Sequence, residues 1–365
     1  MIIPFIYFIF IISTIIQLVF WWGVFVRIAL YKEHLSEKND EIPVTIIICA
    51  RNEEKNLKKN LDRIINQNYR SFEVLVVDDH STDNTWNVLM DFMKKNTYLR
   101  IIKNDNINSV GKKSALTTGI LSAKYDTVLL TDADCQPQNK YWLKEMSNLL
   151  TRNTDIVLGY GPYQRREGFL NKFLRFEAVM TAIQYFSFAL VGLPYMGVGR
   201  NLMYKKKLFF KTNGFTKHKH IVSGDDDLFI QDVITKSNFS IALNEKTFMY
   251  SEPKLTWRSY YRQKLRHTTT GTSYKPWIQF FLGLFSLTHF LHYLGGAVLL
   301  FYGTKLVVLL ILARMMSILI IHWFILKKLN ESLLFKWIPI LDICYIFYYI
   351  AILPSIVIGK NDRWT

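Results

Sequence analysis

Residues 2–26 (IIPFIYFIFIISTIIQLVFWWGVFV) contain no charged side chain. About 20 consecutive apolar residues span the hydrocarbon core of a bilayer, so a chain that opens this way must place that segment in lipid or lose it by processing. A secretory signal peptide would need a basic leading region, a shorter apolar run and a small-residue cleavage site. None of these features is present. Residues 1–30 therefore read as an uncleaved N-terminal transmembrane anchor.

The chain turns apolar again at Trp277. Candidate spans cover about residues 277–302, 305–326 and 337–358, broken by Gly303-Thr304-Lys305 and by the polar stretch from Lys327 to Lys336. Arg27, Lys32 and Lys38 follow the anchor, and the positive-inside rule then puts residues 31–275 in the cytosol. Three further spans would leave Lys360 and Arg363 on the far side, against that rule. His289 and His292 could also make the first candidate an interfacial helix. The region 276–365 is accordingly expected to hold two to three helices.

Composition narrows the rest. Lys and Arg number 45 against 29 Asp and Glu, a net charge of +16, yet half the residues are hydrophobic, which excludes disorder. No arginine-rich tract or nucleic-acid module accompanies the charge. On an anchored chain it points to anionic lipid headgroups and a phosphate-bearing substrate, and no nucleic-acid partner is expected. Cys49, Cys135 and Cys344 are too few and too scattered for a disulfide scaffold or a zinc site. The Ile-, Lys- and Asn-rich usage fits a bacterial inner membrane.

Between the apolar ends the pattern changes period. Val44 to Cys49 is a β-branched run of the kind buried on both faces, and Phe72 to Val77 is a second. A helical stripe (Leu57, Leu61, Ile64, Ile65) separates them. A second helix, capped by Ser81 or Asp83, carries Val88, Leu89, Phe92 and Met93. Ile101-Ile102, a helix starting near Gly111 and the strand Thr127 to Leu130 repeat the cycle. Such alternation predicts an α/β domain with a parallel sheet. Ligands bind such sheets at the carboxyl ends of the strands, where Asp78-Asp79 and Asp132-Ala-Asp134 stand. One acid there is ordinarily a cap or turn residue. Two pairs on neighbouring strands need a cation or donors to neutralise them.

These segments, in this order, resemble the membrane-embedded members of glycosyltransferase family 2, with a GT-A (Rossmann-like nucleotide-diphospho-sugar transferase) fold over about residues 43–270. The chain is similar to cellulose, hyaluronan and poly-N-acetylglucosamine synthases and to ceramide glucosyltransferase. The resemblance implies a nucleotide-sugar donor, UDP-linked above all, and a lipid, lipid-linked glycan or growing polysaccharide as acceptor. It implies that Pro43 to Glu54, with Ala50 and Glu53, cups the nucleotide base and that Asp79 faces that base. GKKSAL at 111–116 resembles the family's G-K-x-x-A-L helix start, with Lys112 on the diphosphate. Lys113 reads equally as a surface lysine. TDAD at 131–134 resembles the D-x-D motif, with Asp134 holding Mg²⁺ or Mn²⁺ and Asp132 on metal or nucleotide.

SGDDDL at 223–228 resembles the segment carrying the general base. The alignment gives Asp226, and a one-residue slip would give Asp225 or Asp227. Plain helix capping is the competing reading. YMGVGRN at 195–201 resembles an acceptor loop through Gly199, or is an ordinary turn. QKLRH at 263–267 resembles Q-x-x-R-W, giving Gln263 and Arg266 to the substrate, with Arg266 on the diphosphate. His267 stands where relatives have an acceptor-contacting Trp. Phe169 to Leu190 reads either as an amphipathic surface helix or as a core helix.

The sequence thus predicts a metal-dependent inverting hexosyltransferase in the membrane. A catalytically silent subunit with the same fold is the alternative. A transporter lined by His289, His292, His322 and Asp342 would leave the α/β region unexplained.

Overall fold

The computed structural model describes residues 2–33, 41–105, 111–221 and 223–358, apart from the side chains of 266–269 and 354–358. Lys38, Lys360 and Arg363, used above to orient the chain, lie outside the described residues. The chain divides into two compact units. One comprises Lys32–Ala178 and Pro194–Tyr260, and the other Met1–Tyr31, Val179–Leu193 and Tyr261–Lys360.

Among the described residues the first unit is built on nine strands: β1 Val44–Ala50, β2 Phe72–Asp78, β3 Leu99–Lys103, β4 Thr127–Asp132, β5 Cys135–Pro137, β6 Ile156–Gly159, β7 Leu202–Lys205, β8 Phe239–Ala242 and β9 Met249–Ser251. Seven form one sheet in the order β3-β2-β1-β4-β7-β6-β8, while β5 and β9 pair separately. The β1, β2, β3 and β4 pairings are parallel, as the alternation predicts, and β7 runs antiparallel to β4 and β6. Register brings the strand ends together: Ala50 lies opposite Asp78, and Cys49 opposite Asp132. Both acidic segments therefore emerge at one edge of the sheet, for reasons of pairing alone.

Helix Glu54–Ile65 buries the predicted stripe of Leu57, Leu61, Ile64 and Ile65. Val88 and Leu89 of Thr85–Lys95 are buried too, with Phe92 and Met93 packed at the margin of the same core. The N-cap position of this helix is Asn84, one residue past the expected Asp83, whose Oδ1 accepts from the Thr85 N–H at 3.0 Å. Helix Phe169–Leu190 is buried on every side from Phe173 to Ala189 except at Thr181 and Gln184, with Arg175 and Glu177 enclosed as well. An amphipathic surface helix would expose its charged stripe, so this is a core helix.

Among the described residues, the second unit contains four helices long and apolar enough to cross a membrane: Ile2–Leu30, Pro276–Leu300, Lys305–Lys328 and Ser332–Leu353. Three of them lie in the tail, the upper end of the expected number. Phe10 stacks on His292 with ring centroids 5.2 Å apart, and Trp21, Phe25 and Phe285 form an edge-on aromatic cluster. Inside the bundle, Arg314 meets Asp342 at 2.7 Å. Gln17 Oε1 accepts from Arg314 at 3.0 Å, and Tyr293 donates to Asp342 at 2.6 Å. His289, His292, His322 and Asp342 all face the bundle interior. Asp342 is engaged by an arginine that hydropathy reading passed over, as a paired charge inside lipid requires.

Candidate active site

The carboxyl edge of the sheet is stitched into a rigid floor. Asn52 Oδ1 accepts from the Thr82 N–H at 2.8 Å, and the Glu53 N–H donates to Thr85 Oγ1 at 2.9 Å, which ties the loop after β1 to the loop after β2. Asp79 is fully buried. Its own N–H donates to Ala50 O at 2.8 Å, while its carboxylate accepts from Asn104 Nδ2 at 2.6 Å and from the Gly111 N–H at 3.0 Å. Asp79 and Ala50 thereby brace the start of helix Lys112–Ser122 and aim the next residue.

That residue, Lys112, reaches into the acidic cluster. Its Nζ lies 2.9 Å from Asp132 Oδ1 and 3.4 Å from Asp225 Oδ2. Burial disfavours its charge, but Asp132, Asp225 and Asp226 outweigh burial and hold the ammonium well above the usual lysine range. Lys113 points elsewhere and is no surface lysine. It donates to the carbonyls of His218 and Ile221 at 2.7 and 2.8 Å, clamping the segment that leads into the aspartate triplet.

The three aspartates separate into distinct tasks. Asp225 pairs with Lys112. Asp227 opens helix Asp227–Val233 and accepts from the Leu228 N–H at 2.8 Å, a first-turn contact. Asp226 is the N-cap. Its Oδ1 accepts from the Asp227 N–H at 2.8 Å, so the capping reading is realised, and its Oδ2 accepts from the Gly199 N–H at 2.7 Å. Burial, then the charges of Asp227 and Asp225, push the Asp226 carboxyl from an ordinary 3.8 up to about 7, against the lowering influence of Lys112 and the Gly199 bond.

Gly199 is held by a residue that no sequence pattern singles out. Asn201 is fully buried, accepts from Trp142 Nε1 at 3.0 Å and donates to the carbonyls of Tyr160 and Thr247, each at 2.8 Å. The Gly199–Asn201 turn is therefore pinned. A buried Asn three residues past a Gly-Val pair carries no sequence signal, because its partners come from distant segments.

Asp132, Asp134 and Cys135 place one donor atom each within 4.8 Å of one another. Burial raises the pKa of Asp134, as does the Asp132 charge beside it. The Cys135 thiol is kept protonated by burial and donates to Asp134 Oδ1 at 3.3 Å. Two hard carboxylates with a neutral thiol behind them suit an oxygen-seeking Mg²⁺ or Mn²⁺ rather than a thiolate metal. Glu53 stands nearby. Burial, together with Asp134 and Asp132, raises its pKa to about 7 despite a hydrogen bond from Asn56.

Glu53, Asp79, Lys112, Asp132, Asp134, Gly199 and Asp225 to Asp227 thus belong to one unit. Gln263 belongs to the other, on helix Trp257–Gly271. The side chains of Arg266 and His267 lie outside the described residues.

The model of the family described as Glycosyl transferase family 2 matches residues 45–220. The chain is 24% identical over 288 residues to the probable glycosyltransferase YdaM of Bacillus subtilis (strain 168), across 71% of this chain and 65% of YdaM. It therefore spans just under two thirds of that relative's length. Identity is 26% over 235 residues to the Methanococcus voltae dolichyl N-acetyl-alpha-D-glucosaminyl phosphate 3-beta-D-2,3-diacetamido-2,3-dideoxy-beta-D-glucuronosyltransferase, across 61% of this chain and 68% of the relative. It is 29% over 91 residues to the poly-beta-1,6-N-acetyl-D-glucosamine synthase of Staphylococcus aureus (strain COL), across 25% and 21%. Among solved structures, the mannosyltransferase PcManGT from Pyrobaculum calidifontis, in complex with GDP-Man and Mn²⁺, shares the fold with a TM-score of 0.60 at 15% identity, over 95% of this chain and 99% of that one. Residues 45–220, just under half of the chain, match the family 2 model, and they form most of the GT-A sheet whose carboxyl edge carries the acidic segments.

Proposed function

We propose that the protein is a membrane-bound inverting glycosyltransferase. It would move a hexose-type sugar from a nucleotide donor, a UDP-sugar first, to a lipid or lipid-linked acceptor. The observation that carries this reading is Asp226: a buried carboxyl with a pKa near 7, braced by a pinned backbone N–H beside the Lys112 and Asp132 cluster. A base poised near the working pH is what removal of a hydroxyl proton needs.

In this reading Asp226 takes the proton of the acceptor hydroxyl as that oxygen attacks the anomeric carbon. The nucleoside diphosphate leaves from the opposite face, so one displacement inverts the centre. Asp225 keeps Lys112 oriented, and Lys112 supplies positive charge to the leaving diphosphate. Asp134 and Asp132 would hold a divalent ion, which when bound neutralises charge on the leaving group. Glu53 and the loop after β1 border the nucleotide, with Asp79 and Ala50 as positioning residues behind them. Gln263, Arg266 and His267 are proposed for the diphosphate and acceptor by family resemblance alone.

The lipid-linked acceptor is favoured by the likeness to the Methanococcus voltae transferase, which acts on a dolichyl N-acetyl-alpha-D-glucosaminyl phosphate. The four helices able to cross a membrane among the described residues also suit an enzyme whose acceptor resides there. A growing polysaccharide is the second acceptor class, favoured by the shorter match to the poly-N-acetylglucosamine synthase. The proposed setting is a bacterial inner membrane with the catalytic unit on the cytosolic side.

The test is nucleoside-diphosphate release by membranes bearing wild type or Asp226→Asn, over a panel of UDP- and GDP-sugars with Mn²⁺, Mg²⁺ or EDTA. Release with one donor, abolished by EDTA and by the variant, is expected. No release even with native lipid extract, together with no nucleoside-diphosphate binding, would overturn the enzyme and favour a silent subunit.

A further inference from the structure

Arg200 lies in the Gly199–Asn201 turn. It follows Gly199, whose N–H braces Asp226, and precedes Asn201, whose hydrogen bonds pin the turn. Its guanidinium carbon lies 5.0 Å from the centre of the Tyr163 ring. Gly161 faces its stem so closely that an added Cβ would lie 2.6 Å from Arg200 Nε. That Nε is buried and has no hydrogen-bond partner among the described residues. Side chain and backbone are therefore both fixed, while a strong donor is left unused in the interior. Buried donors are ordinarily satisfied, and an exception beside a charged cluster marks a place where a ligand oxygen could be received.

The charges around it narrow the chemistry of such a ligand. Burial works against the Arg200 charge, while Tyr163, Cys135, Asp132 and Asp134 favour it, in that order. A divalent ion on the same carboxylates would face Arg200 as a like charge. An anion shared by the two cations removes the conflict, and a planar guanidinium suits a phosphate oxygen pair.

We propose that Arg200, held against Tyr163, binds a phosphate group of the donor's diphosphate from the side facing the acceptor. The inference rests on the glycosyltransferase reading above and adds a diphosphate-binding residue outside the lysine and arginine motifs assigned by resemblance. A phosphate carried by the acceptor lipid has the same chemistry, and the experiment separates the two sources.

Full-length protein in detergent would be titrated calorimetrically with UDP, GDP and the matching nucleosides, in the presence of Mn²⁺. Arg200→Gln is expected to weaken diphosphate binding at least tenfold and nucleoside binding less than twofold. Tyr163→Leu, which keeps the charge and removes the platform, is expected to give an intermediate loss. Circular dichroism melting reports whether each variant is folded; should Arg200→Gln not fold, Tyr163→Leu and Arg200→Lys carry the test, with the same diphosphate-selective loss expected. Unchanged diphosphate affinity in folded variants overturns the proposal. So does unchanged affinity accompanied by a raised KM for a phosphate-bearing acceptor, which assigns Arg200 to the acceptor. Wild-type protein that binds neither diphosphate defeats the glycosyltransferase reading itself, a result distinct from a difference between variants.

Discussion

The Gly199 N–H donates to Asp226 Oδ2 at 2.7 Å, and a Cβ on Gly199 would stand 3.1 Å from that same oxygen. The proposed base is thus oriented from one side by its own helix and from the other by a turn that admits no side chain without displacing it. Gly199→Ala should lower turnover about tenfold or more, because small misplacements of a reacting group cost rate steeply. Nucleoside-diphosphate affinity should stay near wild type. A turnover assay paired with a binding titration separates these two effects.

Asp226→Asn keeps the shape of the side chain and removes its basicity. Turnover should fall by about 10²–10⁴, the usual contribution of a positioned acid or base. Asp227→Asn, at the first-turn position, should cost far less. If the two variants lose activity equally, the base has been misassigned within the triplet.

The raised Asp226 pKa fixes the sign of the pH profile. Only the carboxylate accepts a proton, so activity should climb with pH through about 7 and fall tenfold per unit below it. Stability runs the other way. The folded state holds this proton more tightly than the unfolded one, so the associated stabilisation is complete below about pH 4 and is lost as pH rises through about 7. Rate and melting temperature measured across pH 5–9 should therefore trend in opposite directions at this group.

Asp134→Asn should abolish the Mn²⁺-dependent gain in nucleoside-diphosphate affinity, with Asp132→Asn weakening it. Cys135→Ser should leave it intact, because burial keeps that thiol protonated. Calorimetry with and without EDTA reads all three. A Cys135→Ser variant that loses metal binding would require a thiolate in the site.

In the membrane unit, Arg314→Leu should destabilise by about 3–5 kcal/mol, the cost of orphaning a buried charge. Arg314→Leu combined with Asp342→Leu should recover much of that loss, since the pair leaves together. Thermal melting in detergent measures both. Equal destabilisation by the single and double variants would mean that the network around Gln17 and Tyr293, not the ion pair, holds the helices.

Much of this protein was legible in its sequence. Hydropathy located the spans from Ile2 and from Pro276, because a bilayer demands length and apolarity that local composition cannot hide. The β-branched runs located β1, β2 and β4, and the acids after them fell at the carboxyl edge where register aligns Ala50 with Asp78 and Cys49 with Asp132. Only the tertiary structure decided which neighbours those acids have. Asp79 turned inward to brace Gly111, Lys112 and Lys113 parted to different tasks, and one aspartate of three received the Gly199 N–H. Arg200 gained its aromatic platform, and Arg314 its carboxylate, from segments far away in the chain. Periodicity reports the solvent or lipid a residue faces, which is a local property. Hydrogen-bond partners, desolvation and pKa arise from contacts across the chain, and these exist only once the chain has folded.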